Sequence, residues 1–400
     1  MNASFFHRIT SISLLLFLSS SLQTNGENNS PEKSKPVDIS LRNEVENAIH
    51  QSLTVLSKSQ QFDGYWSTSD YPGLTALILK AYLKTPVDSE KWANSETVAD
   101  SVAFILSTVQ EDGGIYSRGL QSYNTAISLM ALNAYNTPLT SEKPKIDDVD
   151  MDAIISKARA FLVDQQQIFE SGDNLPYSGG IGYGNSYKHS DLSNTSLAIQ
   201  ALKETRKIVE SDQMDADLDW EAAIKFVENT QNLPEVNHQP WASDDPANRG
   251  GFVYFPGDSK AGAMKLKSGR TALRSYGSMS YAGLMSFLYA GLEPDDERVV
   301  AAVDWLQKNY TLDENPGMGQ EGLYYYYYTM AKALDAYGSD TLVLEDGTEI
   351  DWRKNLAKRL ISLQKHPGYW VNENGRWMES DPNIVTAYSL LALEILYPGL

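Results

Sequence analysis

The 400-residue sequence contains no cysteine. This absence excludes disulfide bonds, thiolate zinc sites and a cysteine nucleophile. Basic residues are scarce as well, because 33 Lys and Arg stand against 52 Asp and Glu and give a formal charge of -19. A chain this acidic lacks the charge that binds a phosphate backbone or an anionic lipid surface, so we expect no nucleic-acid partner.

The sequence also lacks a long hydrophobic run. The N-terminal stretch contains Arg8, an apolar segment from Ile9 to Leu18 and small residues after it. This pattern is typical of a secretory signal peptide, and its apolar core is too short to span a bilayer. We therefore expect a signal peptide over residues 1–26, a polar linker over residues 27–41 and an exported mature chain, periplasmic or extracellular, with no transmembrane segment. A chance Leu-rich run is the alternative, because the cleavage site is not a clean Ala-x-Ala.

A repeat of six units organises the remaining sequence. In each unit an amphipathic helix with acidic residues in its first turn is followed by a Gly-aromatic turn and a more apolar helix. Acidic first turns oppose the helix dipole and favour solvent-facing outer helices, whereas helices that are apolar nearly all round must be buried as inner helices. Five of the six units have a Gln at the end of the first helix: Gln60, Gln110, Gln166, Gln231 and Gln364. The remaining unit, the fifth, has Tyr310 at this position.

The two ends of the repeat array decide between an open and a closed arrangement. An open solenoid needs atypical polar caps. Here the first and last units are the most regular, and the last inner helix ends a few residues before Leu400. The sequence therefore predicts an all-α fold, an (α/α)6 toroid of six outer-inner helical hairpins over residues 42–397.

Two of the turns carry a longer motif. Gln60-x-x-x-Gly64-x-Trp66 and its counterpart at residues 364–370 resemble the Gln-Trp repeat of the prenyltransferase and squalene-hopene cyclase family. The resemblance covers about residues 42–397 and implies a terpenoid cyclase-like toroid whose Gln-Trp motif ties the repeats together. The Asp-x-Asp-Asp acid motif of those cyclases is absent, so whether the chain is an enzyme stays open. We expect no metal and no cofactor.

All six turns join the end of an outer helix to the start of an inner helix, so the inner-helix N-termini converge on one mouth of the ring. Their partial positive charges and the turn aromatics make this mouth the predicted site. Candidate catalytic residues are His189, Asp191 and Asp381, because a His-carboxylate pair can transfer protons near neutral pH. Asp381, followed by Pro382, equally fits a helix cap. The candidate substrate-binding residues are Trp66, Tyr116, Tyr183, Arg270, Arg274, Tyr276 and Tyr324.

Two departures from the repeat concentrate polar side chains. The fourth unit carries an insertion over residues 234–274, which predicts a lid or a binding loop. Its second half has five basic residues and no acid after Asp258, a composition that suits a phosphate or carboxylate. The second departure is the run of five tyrosines from Tyr324 to Tyr328, whose rings and hydroxyls could bind a sugar or stabilise a cation.

Three functions follow from these features. The first is an exported enzyme with an aromatic central cavity for an isoprenoid-like or other hydrophobic substrate. The second is a non-catalytic toroid that binds a small-molecule or lipid-like ligand. The third is a carbohydrate-active (α/α)6 enzyme, for which paired carboxylates about 5–10 Å apart are expected in the cavity. The oligomeric state is left open by the sequence.

Overall fold

The computed structural model describes residues 37–137, 149–184, 189–208 and 217–400. The predicted signal peptide and most of the predicted linker lie outside these residues. The described residues form thirteen α-helices: α1 (Ile39–Ser59), α2 (Pro72–Lys84), α3 (Ser89–Ala93), α4 (Glu96–Ser107), α5 (Gln121–Asn136), α6 (Met151–Asp164), α7 (Leu192–Glu204), α8 (Trp220–Glu228), α9 (Gly277–Tyr289), α10 (Glu297–Lys308), α11 (Leu323–Tyr337), α12 (Trp352–Leu363) and α13 (Pro382–Leu396).

The outer helices are α1, α4, α6, α8, α10 and α12. All but α4, which is capped by Ser95, begin at an aspartate whose side chain accepts a hydrogen bond from a backbone N–H of the first turn. Asp38 caps α1 and the helix begins at Ile39, so residues 39–41 of the predicted linker are helical.

The inner helices are α2, α5, α7, α9, α11 and α13. Each packs against the next, and α13 packs back on α2, so the inner ring is closed. The outer helix α12 likewise packs on α1. The apolar composition of the inner helices explains their position, since almost every residue of α2 and α13 is buried. The predicted (α/α)6 toroid is confirmed.

Four of the five Gln side chains, all but that of Gln110, join neighbouring hairpins. Gln60 donates to the Thr97 carbonyl at 2.9 Å in the next outer helix, and Gln231 donates to the Arg298 carbonyl at the same distance. Gln166 and Asp219 are joined by two such bonds. Each of these hydrogen bonds links the end of one outer helix to the first residues of the next outer helix.

The turns are fixed to the inner helices by a second recurring contact. A hydroxyl in the inner helix accepts a hydrogen bond from a backbone N–H of the preceding turn, as Thr75 does from Trp66 at 3.2 Å. This contact sets where each turn lies above the start of its inner helix. The other hydroxyls that do so belong to Thr125, Thr195, Ser280 and Thr386.

Strands are confined to two short antiparallel hairpins in the described residues. The first pairs β1 (Ala263–Lys265) with β2 (Thr271–Leu273) in the predicted insertion, with Met264 opposite Ala272. The second pairs β3 (Leu342–Val343) with β4 (Glu349–Ile350). Among the described helices, none combines the length and hydropathy needed to cross a bilayer.

Candidate functional site

A cavity of about 270 Å³ opens where the inner helices begin. All six inner helices contribute to its wall from their first turns. The six contributing residues are Leu74, Tyr123, Ser193, Ser278, Tyr325 and Ile384. The N-termini of the inner ring therefore converge on this cavity, and their partial positive charges point toward it.

Tyrosine dominates the cavity wall. Tyr183 and Tyr254 come from two turns, and their hydroxyls are hydrogen bonded at 3.0 Å. Burial raises the pKa of Tyr254 and of Tyr276 far above the usual tyrosine value, and the nearby Asp191 carboxylate adds to the rise. These phenols therefore stay neutral and supply aromatic surface and hydroxyl groups, not a base. The remaining tyrosines in the wall are Tyr71, Tyr123, Tyr325 and Tyr388.

Glu379 is the one carboxylate among the described residues that line the cavity. Its side chain is 1% exposed. One oxygen accepts the Tyr325 backbone N–H at 2.8 Å, and the other accepts the Asn372 amide at 2.6 Å. Burial raises the pKa of Glu379, although these donors oppose the rise. The carboxyl group thus sits at the N-terminus of α11 and can bind or release a proton in an apolar setting.

Lys260 is the one basic side chain among the described lining residues. Its ammonium lies 4.5 Å from the centre of the Tyr254 ring and 2.8 Å from the Asp258 carboxylate. About a third of the side chain stays exposed. This arrangement places a partly exposed cation in the cavity lining, beside an aromatic wall.

The rim carries backbone strain. Trp377 and Met378 are consecutive non-glycine residues with φ of 55° and 65°, and both line the cavity. Leu120, the residue before α5, has a φ of 48° and lines the cavity too. Left-handed conformations of this kind cost on the order of 1–3 kcal/mol each and concentrate at functional sites. Trp377 and Met378 also remain partly exposed, at 47% and 39%.

The three residues predicted to be catalytic lie outside this cavity wall. Asp191 is fully buried and caps α7, accepting bonds from the Asn194 backbone and side chain at 2.9 and 2.8 Å. Burial raises its pKa to about 7. Asp381 caps α13 by accepting the Asn383 N–H at 2.9 Å. The His189 ring lies against the Phe255 ring, with centroids 4.3 Å apart. The structure therefore gives the two aspartates capping roles.

Of the predicted substrate-binding residues, Tyr183 and Tyr276 line the cavity. Trp66 does not, because its indole is fully buried and donates to the Leu56 carbonyl at 2.8 Å on its own outer helix. Tyr116 bonds Asp112 at 2.7 Å and packs on Phe161, away from the cavity wall. Trp66 therefore folds back on its own hairpin, and Tyr116 lies between its own turn and the next outer helix, α6.

Three further predicted residues also lie outside the cavity wall. Arg270 and Arg274 are exposed, and Arg270 lies at the turn of the β1-β2 hairpin, where it donates to the Ala242 carbonyl at 3.0 Å. The insertion does reach the cavity, but through Tyr254 and Lys260. Tyr324 is buried against Tyr327, and its neighbour Tyr325 faces the cavity instead.

Glu379 was not singled out from the sequence. It belongs to the irregular segment before α13, where no spacing or motif marks a carboxylate. One signal was present: Asp381 already suffices to cap the helix before Pro382, so an acid two residues earlier has no capping task in α13 and can serve another element, as Glu379 does at the N-terminus of α11. The described residues contain no group of three or more His, Asp and Glu side chains that could hold a metal ion.

Solved structures resemble this fold. The apo type II terpene cyclase MstE from Scytonema aligns over 90% of this chain and 100% of its own, with 12% identity and a TM-score of 0.52. A variant of that cyclase, solved with its substrate geranylgeranyl dihydroxybenzoate, aligns with the same figures. A family 105 glycoside hydrolase from C. acetobutylicum aligns over 89% of this chain and 99% of its own, with 13% identity and a TM-score of 0.46. No family model and no curated protein matches the chain.

Proposed function

We propose that the toroid binds an isoprenoid-like amphiphile, with its apolar chain among the tyrosine rings and an anionic group at the entrance beside Lys260. The observation that carries this proposal is the cavity at the inner-helix N-termini, whose described lining holds seven tyrosines, Trp377 and a single cation. The setting we propose is outside the cytoplasm, on the strength of the signal-like pattern in residues 1–26.

The shape and polarity of the cavity support an apolar chain. Ligand sites are concave, mostly apolar and furnished with a few placed polar groups. Here Leu74, Met279 and Ile384 add aliphatic surface to the tyrosines, and the neutral phenols can bond to a hydroxyl or a carbonyl without adding charge. Each apolar carbon buried there gains free energy from its removal from water.

The electrostatics support an anionic group at the entrance. Six helix N-termini converge on the cavity, and each carries a partial positive charge that favours a nearby anion. The Lys260 ammonium adds a full charge and is only partly engaged, because its ion pair with Asp258 is exposed to solvent. A carboxylate or phosphate at the entrance would compete with Asp258 for this ammonium.

A chemical step, if the toroid performs one, has Glu379 as its acid-base group. Its buried carboxyl group, with a raised pKa, is the arrangement that proton transfer requires. The carbohydrate-active alternative has less support, because a glycosidase of the usual type needs two carboxylates in its site and the described lining contains Glu379 alone. The fold neighbours are too distant in sequence to decide between these functions.

Binding can be measured through Trp377, which lines the cavity and is half exposed. We expect farnesoic acid to change the tryptophan fluorescence saturably and the change to vanish in Trp377→Phe. Ser193→Phe, which places a ring in the cavity, should abolish binding. Ser40→Phe, which adds the same ring to the exposed side of α1, should leave it intact.

The proposal fails if neither farnesoic acid nor farnesol binds saturably to the folded protein. It also fails if Ser193→Phe binds as well as the unmodified chain while retaining its melting temperature. Saturable binding of oligosaccharides that is lost in Ser193→Phe would favour the carbohydrate-active alternative instead.

A further inference from the structure

A second cavity, of about 240 Å³, lies at the opposite end of the inner ring, where the inner helices finish. Its wall is strongly charged, unlike that of the tyrosine cavity. The titratable groups that face it come from five inner helices: Lys80 and Lys84 of α2, Glu204 of α7, Tyr289 of α9, Tyr328, Lys332 and Asp335 of α11, and Glu394 of α13. The proposed function leaves this cavity without a role.

Two lysines in this cavity are equally buried but differently paired. Lys80 is 6% exposed and holds both oxygens of Glu204, at 3.2 and 3.3 Å. Lys332 is 5% exposed, and its amine donates to the side-chain carbonyl of Gln200. Within the described part of the chain, no carboxylate lies within ion-pair distance of Lys332. Lys332 is therefore a buried amine whose hydrogen-bond partner is neutral, and its charged form is compensated only at longer range, by Glu204.

The surroundings favour the neutral amine. Burial and the nearby Lys80 ammonium together lower the pKa of Lys332 to about 7, with burial the larger cause, while Glu204 opposes the shift. The Tyr328 ring, whose centre lies 4.8 Å from the amine, acts in the opposite direction, because an aromatic face attracts the charged form. A lysine that is desolvated beside another cation is the form in which this side chain acts as a nucleophile.

Glu394 supplies a second unusual group in the same cavity. Its side chain is 8% exposed, and neither carboxyl oxygen has a hydrogen-bond partner among the described residues. Burial raises the pKa of this carboxyl group well above its usual value, against the influence of Lys84 and Lys80. An unpartnered buried carboxyl group of this kind holds its proton and can donate it.

We propose that Lys332 is a nucleophile that forms an imine with a small carbonyl compound, an aldehyde or a 2-oxo acid, with Glu394 as the proton donor. The Nζ lone pair bonds to the carbonyl carbon, and the carbonyl π electrons move to oxygen. A proton passes from nitrogen to that oxygen and gives the carbinolamine. Glu394 then protonates the hydroxyl group, the C–O bond breaks, and water leaves an iminium paired with the Glu394 carboxylate.

The cavity size and charges define the substrate class. A space of about 240 Å³ admits a compound of a few carbon atoms. Lys84 is an exposed lining residue of this cavity. Its ammonium can pair with the carboxylate of a 2-oxo acid, which a simple aldehyde lacks, so we expect the 2-oxo acid to bind better. This site is separate from the tyrosine cavity, so the two proposals stand or fall independently.

The test traps the imine on the unmodified protein. The full chain is incubated at about neutral pH with glyoxylate or, separately, acetaldehyde, in the presence of sodium cyanoborohydride, and modified lysines are mapped by peptide mass spectrometry. We expect the imine of Lys332 to form and be reduced to a secondary amine at least about tenfold faster than that of Lys80. Lys80 is the internal control, because it is equally buried but paired with a carboxylate. Glyoxylate should react faster than acetaldehyde, and unfolding in urea should remove the difference between the two lysines.

Modification of Lys332 no faster than that of Lys80 in the folded protein would overturn the proposal. A rate that rises with pH without a midpoint near 7 would overturn it as well. Glu394→Gln keeps the shape of the donor and should slow trapping about tenfold without moving this midpoint. Lys332→Met should form no adduct at this position and should keep the melting temperature of the unmodified chain. A trapping rate that Glu394→Gln leaves unchanged would contradict the role of Glu394 as proton donor.

Discussion

The side-chain amide of Gln364 donates to the backbone carbonyl of Ala48 at 3.0 Å, across 316 residues of chain. The same amide group donates to Ser52 at 3.0 Å. Gln364 ends the last outer helix and Ala48 lies within the first, so this contact repeats at the seam what Gln60 and Gln231 do elsewhere in the ring. The toroid is therefore closed by the device that links its internal repeats.

Gln364→Ala should destabilise the fold by about 1–2 kcal/mol, because it removes two hydrogen bonds from the seam. Urea denaturation followed by circular dichroism measures this change. Gln110→Ala is the matched control, because Gln110 bonds only the carbonyls of its own segment, Thr108 and Tyr116, and is exposed. Equal losses in the two variants would contradict the role assigned to the seam.

Asp191 should make stability depend on pH. Its folded pKa is raised from 3.8 to about 7, so the folded state binds the proton more tightly than the unfolded state. Stability is therefore greatest below about pH 4 for this group and is lost as pH rises toward about 7. Asp191→Asn keeps a capping oxygen and has no proton to lose.

We expect the difference in unfolding free energy between Asp191→Asn and the unmodified chain to move in favour of the variant across that range, by a few kcal/mol. Urea titrations at several pH values measure it. A difference that stays constant with pH would show that the buried carboxyl group does not titrate there.

Met378→Gly should relieve strain at the cavity rim. Glycine adopts a φ of 65° without cost, so we expect a gain of about 1 kcal/mol in unfolding free energy. Because Met378 lines the cavity, the same variant should bind farnesoic acid more weakly. Ser67→Gly relieves a similar φ of 63° outside the cavity lining, so it should stabilise without changing binding.

Lys260→Ala should weaken binding of farnesoic acid by on the order of 1 kcal/mol and leave the binding of farnesol nearly unchanged. The reason is that only the acid has an anionic group for the ammonium at the entrance. Arg270→Ala removes an exposed basic side chain from the same insertion and should leave both affinities unchanged. Titrations of Trp377 fluorescence compare the four combinations, and equal losses for acid and alcohol would contradict an anionic group at the entrance.

The ring was predictable because its signals are local and repeated. Each Gln, each acidic first turn and each apolar second helix is visible in a short window of sequence, and six repetitions reinforce one another. The location of the mouth followed from the chain direction through the turns. These features depend on helix periodicity and polarity, which the sequence carries directly.

The individual lining residues were less predictable because their orientation depends on tertiary packing. Tyr324 and Tyr325 differ by about 100° around the helix, and the sequence does not contain the rotation of α11 within the ring. The Trp66 indole donates to the Leu56 carbonyl of its own hairpin, so its ring is buried in the hairpin and does not line the cavity. Arg270 is carried outward by a hairpin of only three residues per strand, which gave no clear periodic pattern.

Isoprenoid binding is tested most directly by a crystal structure of the protein soaked with farnesoic acid. We expect electron density for the isoprenoid chain between Tyr123, Tyr325 and Tyr388, with the carboxylate within hydrogen-bonding distance of the Lys260 ammonium. An empty tyrosine cavity at saturating ligand, or density for the acid only at another place on the protein, would contradict it.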